Sequence, residues 1–288
     1  MKIRVYILRC LSPLHVGSGD TNYGVIDNLV QREPHTHMPI IHGSSLKGAL
    51  RENLENRPGK DRLSKDQIWD IFGAPIKRGE KQKETTHPGE VHFDQGMLLS
   101  LPVRSDLRPY LCATTPFLLQ QMSEHIDLLK APSAAGLKAL FQPFLSYGLD
   151  NPLQQSMVVN PMLKDGPILE ERDLQASYLE ISTSDQMEKV IGKPLVLMPQ
   201  QAFATVVEEL PTVARNQLEN GESKNLWYEE IVPREARFFT LISGPDALVD
   251  AFDQQVSNQV IQLGANASIG YGRTLFTPLA SLVSQPKS

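Results

Sequence analysis

The sequence predicts an α+β fold, on three observations. Residues 2–11 alternate Ile3, Val5 and Ile7 with Arg4, Tyr6 and Leu8, the two-residue period of a strand. A Gly-rich loop and a helix from about Ser45 to Asn56 follow. The far end runs these parts in reverse: a helix from Pro245 to about Leu263, the Gly-rich run GANASIGYGR, and a short strand at Thr274–Phe276. A strand–loop–helix opening and a helix–loop–strand ending suit a ferredoxin-like domain with long insertions between its halves. The expected organisation is a single domain over residues 1–288.

Between these ends the elements follow in order. Gly24–Gln31 reads as a second strand and Pro39-Ile40-Ile41-His42 as a short extended piece. In the first helix Ser is a favoured N-cap, Leu46, Ala49, Leu50 and Leu54 line the buried face, and Lys47 and Arg51, four apart, share another. A second helix, about Ser64–Phe72, has a Ser cap, a core face of Ile68, Trp69 and Phe72, and Gly73 as its stop. Residues 74–89 are polar and punctuated by Gly and Pro, a mobile loop within an insertion over about 60–90. Val91–Val103, broken at Gly96, and Tyr110–Thr114 are strand material. Thr115-Pro116 is a cap followed by an N1 proline, opening a helix to about Lys130, and Ala134–Tyr147 is helical. Residues 148–176 read as irregular, Ser177–Ser182 as a strand and Gln200–Leu210 as a helix. Thr212–Leu218 and Trp227–Ile242 are strands flanking Asn220-Gly221, a hairpin turn. The last long helix directs Leu248, Phe252, Val256 and Ile261 at the core and ends at Gly264.

Composition removes several function classes. Hydrophobic content of 41% and charge of 21% are ordinary for a soluble globular protein. No apolar run approaches the ~18–20 residues a bilayer span needs, and the N-terminus reads as a strand, so no membrane partner is expected. Cys10 and Cys112 make neither a Cys-x-x-Cys pair nor a disulfide framework, and the cytoplasm is the expected compartment. The net charge of −5 does not advertise a nucleic-acid binder. Residues 1–62, however, hold nine Lys/Arg against six Asp/Glu, a balance of +3 that leaves −8 for the rest. Such a surface can bind a polyanion inside an acidic protein, because charges beyond about 8 Å are largely screened.

That basic stretch also holds the motifs that suit an anion. Gly17 and Gly19 admit positive φ and close approach of a ligand to the backbone. Gly43-Ser44-Ser45 opens a helix whose unpaired N–H groups favour negative charge, with Lys47 and Arg51 on its face. The order Gly-Ser-Ser-Leu-Lys-Gly is not the phosphate-loop pattern, in which Gly-Lys-Ser/Thr closes the motif. A Lys and an Arg on an exposed helix face are usually only solvated, so these residues alone give an anion site without naming the anion. His35, His37 and His42 lack Cys partners at zinc spacing and read as solvated loop residues. No nucleotide fingerprint or nucleophilic triad is visible, which argues against a small-molecule enzyme.

Seven segments together resemble a known family. They are LSPLHVGSG (11–19), GVIDNLVQRE (24–33), PIIHGSSLKGALR (39–51), HFDQGMLLSLPVRS (92–105), LWYEEIVP (226–233), LISGP (241–245) and IQLGANASIGYGR (261–273). Nearly end to end, the chain resembles the backbone subunits, the fourth Cmr protein, of type III-B CRISPR–Cas effector complexes in the RAMP superfamily. The resemblance implies a ferredoxin-like (RRM-like) domain with a protruding β-hairpin thumb and a C-terminal Gly-rich loop. It further implies that copies stack head to tail along a CRISPR RNA beside other Cmr subunits, that each thumb displaces one nucleotide of the guide–target duplex, and that complementary target RNA is cut at regular intervals in a divalent-metal-dependent reaction. The thumb is expected between Lys164 and Pro199, in a region of about 160–200, with Met187, Val190, Ile191 and Leu197 as wedges.

Site roles carried over from the resemblance centre on Asp27 as the catalytic carboxylate. It could orient or deprotonate the 2′-hydroxyl that attacks the neighbouring phosphate, or hold a divalent cation, Mg²⁺ or Mn²⁺, against the developing charge. One carboxylate is too few for a metal cage, so any other ligands stay unknown. A histidine suits proton transfer near neutral pH, so His15 is read first as an RNA contact and second as a proton carrier. Glu229 or Glu230 joins the catalytic pocket, the alternative being a solvent-facing strand acid. Guide RNA is expected on Ser44, Ser45, Lys47 and Arg51, with Arg32, Gly264, Asn266, Gly270 and Gly272 closing the other side. Two rival readings are a filament subunit that binds RNA without cutting it, and a superfamily endoribonuclease that processes guide repeats using His15. The second lacks support in GVIDNLVQRE and LWYEE.

Overall fold

The structure, a computed structural model, describes residues 1–19, 24–59, 62–74, 88–150, 157–158, 168–169, 174–178 and 184–283. In chain order the elements begin with β1 (Lys2–Cys10), β2 (Ile40–Ile41), α1 (Gly43–Glu55), α2 (Lys65–Phe72), β3 (His92–Phe93), β4 (Gly96–Val103), β5 (Leu111–Thr114), α3 (Pro116–Leu128) and α4 (Ala134–Asp150). They continue with β6 (Met157–Val158), β7 (Ile168–Leu169), β8 (Leu174–Gln175), β9 (Ser177–Tyr178), α5 (Asp185–Ile191), β10 (Leu195–Leu197) and α6 (Gln200–Glu208). The chain closes with β11 (Thr212–Glu219), β12 (Glu222–Glu230), β13 (Arg237–Gly244), α7 (Asp246–Val256), β14 (Gln259–Gln262), β15 (Arg273–Pro278) and α8 (Leu279–Leu282).

A mixed sheet of order β14-β15-β1-β13-β4-β5-β10-β6-β9 runs through the molecule, while β11 and β12 form a separate two-stranded sheet. β1 is central, antiparallel to β13 on one side and to β15 on the other. Successive strand side chains point to opposite faces. Tyr6, Leu8 and Cys10 therefore enter one core with Leu46, Leu50 and Leu54 of α1 and Phe252 and Val256 of α7. Val5 and Ile7 enter a second core with Met122 and Ile126 of α3, Phe141 and Phe144 of α4, and Leu279 of α8. Helices thus cover both faces, which is why β1 is apolar on both.

Several local signals act as expected. Ser64 caps α2 in a reciprocal capping box with Gln67, and Thr115 Oγ1 accepts from Leu118 N–H at the head of α3. Pro233 and Glu235, the latter at φ +75°, split the expected strand Trp227–Ile242 into β12 and β13, since proline cannot donate to a ladder. α7 stops at Val256, because Asn258 takes φ +59° and turns the chain so that Ile261 is buried from β14 instead. Gly24–Gln31 is not a strand: it touches its neighbours through single bridges, Gly17 with Val30 and Asn28 with Glu229. α1 begins at Gly43, with His42 in the cap position and no side-chain cap, so neither Ser44 nor Ser45 serves as one.

The expected wedge residues are overturned. Met187, Val190, Ile191 and Leu197 are at most 1% exposed and pack in the second core, where no nucleic acid reaches them. Much of 160–184, and residues 75–87 of the expected mobile loop, lie outside the described residues. Among the described residues two strand pairs lie outside the main sheet: β7–β8, within the expected thumb region, and the longer hairpin β11–β12, with Leu218, Leu226 and Tyr228 exposed along it. Among the described residues no helix is long and apolar enough to cross a membrane.

Candidate nucleic-acid interface

Asp27 lies in the irregular segment before Val30 and is clipped to the root of β12. Tyr228 N–H donates to Asp27 Oδ2 at 2.8 Å, and the Tyr228 carbonyl accepts from the N–H groups of Asp27 and Asn28, both at 3.1 Å. Glu230 N–H then donates to the Asn28 carbonyl at 2.9 Å. These backbone bonds hold an exposed carboxylate in a fixed place without burying it.

The residues around it form a connected polar layer. His15 is 5% exposed, and its Nδ1 lies 2.7 Å from the Glu230 carbonyl oxygen. A carbonyl only accepts, so Nδ1 carries the proton and Nε2 keeps the lone pair in the neutral ring. Glu230, 2% exposed, accepts from Arg32 Nη2 and from Val30 N–H at 3.1 Å, while Arg32 Nη1 donates to the His37 carbonyl at 2.8 Å. Arg32 and Glu230 are thus a charge pair that ties the Asp27 segment to the hairpin root. Glu229 accepts from Trp227 Nε1 at 2.9 Å, from Arg215 Nε at 3.2 Å and from Asn266 Nδ2 at 2.8 Å. Burial works to raise its pKa, but the Trp227, Arg215 and Asn266 hydrogen bonds and the nearby His15 outweigh it and hold the carboxyl below its usual range.

The Gly-rich loop packs directly on this layer. Ala265 N–H donates to the His15 carbonyl and Gly272 N–H to the Pro13 carbonyl. Gly264, at φ +69°, and Gly272, at φ +75°, admit no Cβ: it would lie 2.3 Å from the His15 oxygen in one case and 1.9 Å from the Leu263 oxygen in the other. Gly270, at φ +88°, has nothing within 4 Å of that position and faces open space. A cavity of about 520 Å³ separates the loop residues Gly264, Asn266 and Ala267 from Ala49, Asn53 and Arg57 around the end of α1.

Gln31 joins the pieces, and the sequence reading missed it. Its Nε2 donates to the Gly17 carbonyl and to Ser45 Oγ, and its Oε1 accepts from His42 N–H at the head of α1. Arg215, Trp227 and Tyr228 were also missed as individuals, although LWYEE was the signal that contained two of them. The structure brings His15, Asp27, Arg32, Glu229, Glu230, Gly264 and Asn266 into one neighbourhood, with Ser45 linked through Gln31. Ser44 is exposed at the start of α1. Lys47 leans over the Phe93 ring at 5.9 Å, and Arg51 pairs with Glu55 at 2.8 Å.

Among the described residues no group of three or more His, Cys, Asp or Glu could hold a metal ion. Glu229 and Glu230 are committed to donors, which leaves Asp27 as the exposed acid of the cluster. Any cation here would keep several waters and lean on phosphate oxygens, as Mg²⁺ commonly does.

A family model described as the RAMP superfamily matches residues 7–275, and the chain belongs to that superfamily. It is 28% identical over 293 residues, covering 94% of each chain, to the Pyrococcus furiosus protein named CRISPR system Cmr endoribonuclease Cmr4. The fold is similar to a chain of the type III-B Cmr-beta complex bound to cognate target RNA, with a TM-score of 0.76 at 20% identity over 98% of this chain and 99% of that one. It is also similar to oligomeric Cmr4 from Pyrococcus furiosus, with a TM-score of 0.65 at 22% identity over 96% and 98% of the two chains.

Proposed function

We propose that this chain is a backbone subunit of a type III-B CRISPR RNA-guided effector complex. It stacks on copies of itself along the CRISPR RNA, beside other Cmr subunits, and acts as an endoribonuclease on complementary target RNA at regular intervals. One observation carries this reading. An exposed Asp27 carboxylate is clipped to a free-standing hairpin beside a Gly-rich loop, in a chain similar from end to end to Cmr4. The order β15-β1-β13-β4, with α1 and α7 on one face, supports a ferredoxin-like frame. In this reading the hairpin β11–β12 serves as the thumb, since its exposed Leu218 and Leu226 are suited to press between bases.

In this reading the guide backbone lies along Ser44, Lys47 and the Gly-rich loop, which grip phosphate and shape and leave sequence to base pairing. Asp27 orients or deprotonates the attacking 2′-hydroxyl, or holds a divalent cation against the phosphorane charge. His15 presents its Nε2 lone pair from a fixed ring. Glu229, Glu230 and Arg32 support this geometry. The cytoplasm is the compartment for such a complex.

The test is cleavage of guide-complementary RNA by the assembled complex, parent beside Asp27→Ala, with Mg²⁺ and with chelator. Evenly spaced products that vanish in the variant and with chelator, while assembly and guide content persist, are the expected result. Products that persist in the Asp27→Ala complex would move the chemistry to another residue. Target binding without any product would leave a filament subunit that holds RNA only.

A further inference from the structure

The free-standing hairpin and the Gly-rich loop meet at one side chain. Glu229 is 7% exposed, and its carboxylate gathers Trp227 and Arg215 from the hairpin and Asn266 from the loop. A carboxylate only accepts, so each of these bonds requires a donor on the other side, and Asn266 supplies the one that comes from the loop. A parallel contact seats the Arg215 guanidinium 4.6 Å from the centre of the Tyr271 ring, again hairpin on loop. Asn266 is itself held in the left-handed region at φ +65°, and its carbonyl accepts from Tyr271 N–H, so the loop end of the joint is rigid. One residue before Glu229, Tyr228 makes the three backbone bonds that place Asp27.

We propose that Glu229 is a positioning residue: its carboxylate, bridged by Asn266 and Arg215, locks the hairpin onto the Gly-rich loop and so fixes Asp27 relative to the RNA that the loop holds. This rests on the reading of Asp27 as the residue that cuts and of the Gly-rich loop as a guide contact. Two surfaces that could each bind RNA separately are thereby made to act in one register. The joint needs a donor facing an acceptor across the hairpin–loop boundary; with the two groups exchanged, the amide at 229 donates to a carboxylate at 266 and keeps its oxygen for Trp227, while Arg215, beside both, turns to that carboxylate.

That exchange gives the experiment. Glu229→Gln and Asn266→Asp are made singly and together, each also with Trp69→Phe, which leaves Trp227 as the remaining indole of the two in the chain. Complexes assembled on guide RNA are followed by single-turnover cutting, by guide retention and by Trp227 emission. Each single exchange is expected to slow cutting about tenfold and to alter guide retention by less than about threefold. It also moves the Trp227 signal, because the group that accepts from the indole is no longer held from the loop side. In the double exchange amide and carboxylate trade places, and both cutting and emission return toward the parent.

A double exchange that cuts no faster than the slower single, or a Glu229→Gln complex that cuts at the parental rate, overturns the proposal. So does a double exchange that restores Trp227 emission but not cutting, since the joint would then exist without placing Asp27. Loss of rescue beside an inactive Asp27→Ala complex sinks the proposal and spares the functional reading. An Asp27→Ala complex that cuts at the parental rate sinks the functional reading instead.

Discussion

Gly270 and Gly272 sit two positions apart and carry different burdens. At Gly272 a Cβ would meet the Leu263 carbonyl at 1.9 Å, whereas at Gly270 it would meet nothing. Gly272→Ala is therefore expected to misplace the loop and destabilise the chain by several kcal/mol, while Gly270→Ala costs only the ~1–2 kcal/mol of left-handed backbone. Urea unfolding of the two variants checks the order, and Gly270→Ala should lower guide binding out of proportion to its effect on stability. Glu229 gives a second prediction. Its folded pKa is depressed, so its contribution to stability is complete above the unfolded value of about 4.3 and is lost as pH falls through the folded value. The stability gap between the parent and Glu229→Gln should be flat near neutrality and close in acid, read by unfolding midpoints across pH. Asp27 and the Glu pair were legible because they stand inside motifs. Gln31 and Arg215 were not, because their work is hydrogen bonding to residues that no local period connects to them.

At the scale of elements, hydrophobicity alone could not tell a wedge from a core helix. Met187, Val190 and Ile191 are three apolar residues within five, equally suited to an exposed hairpin or to the buried face of a short helix, and tertiary packing chose the helix. The Asn220-Gly221 turn, by contrast, announced its hairpin, since both residues take positive φ as such a turn requires. What it did not announce was that the strands would leave the sheet. One comparison separates the two elements. Met187→Ala should cost about 2–5 kcal/mol of stability by opening a cavity, whereas Leu226→Ala on the exposed hairpin should stay within about 0.5 kcal/mol. Thermal unfolding reads the first difference. Cutting of target RNA reads the second, with the Leu226 variant expected to be impaired though fully folded.

For the molecule as a whole, the opening and closing elements were legible because helix and strand periods are long there: β1 falls where the pattern put it and α7 begins there, though it stops early, at Val256, and β14 takes the rest. The second helical layer was not foreseen as a layer, since helices read singly do not say which sheet face they will cover. With helices on both faces, the RNA contacts proposed above fall at the rim of the sheet, where phosphate contacts dominate and ionic strength matters. Lys47→Ala is accordingly expected to weaken guide binding and to lower the slope of log affinity against log salt by about one unit, measured by titration across salt concentrations.

The clip on Asp27 also has a consequence for the order of synthesis. The group that fixes this carboxylate is Tyr228, which follows it by 201 residues, and the loop that braces His15 comes later still. A nascent chain displays Asp27 early but has nothing to hold it with until the last quarter of the protein has been translated and has docked across β1. The ribosome thus releases a subunit in which the clip on Asp27 is closed last, and a chain cut short before the hairpin carries the acid without its clip.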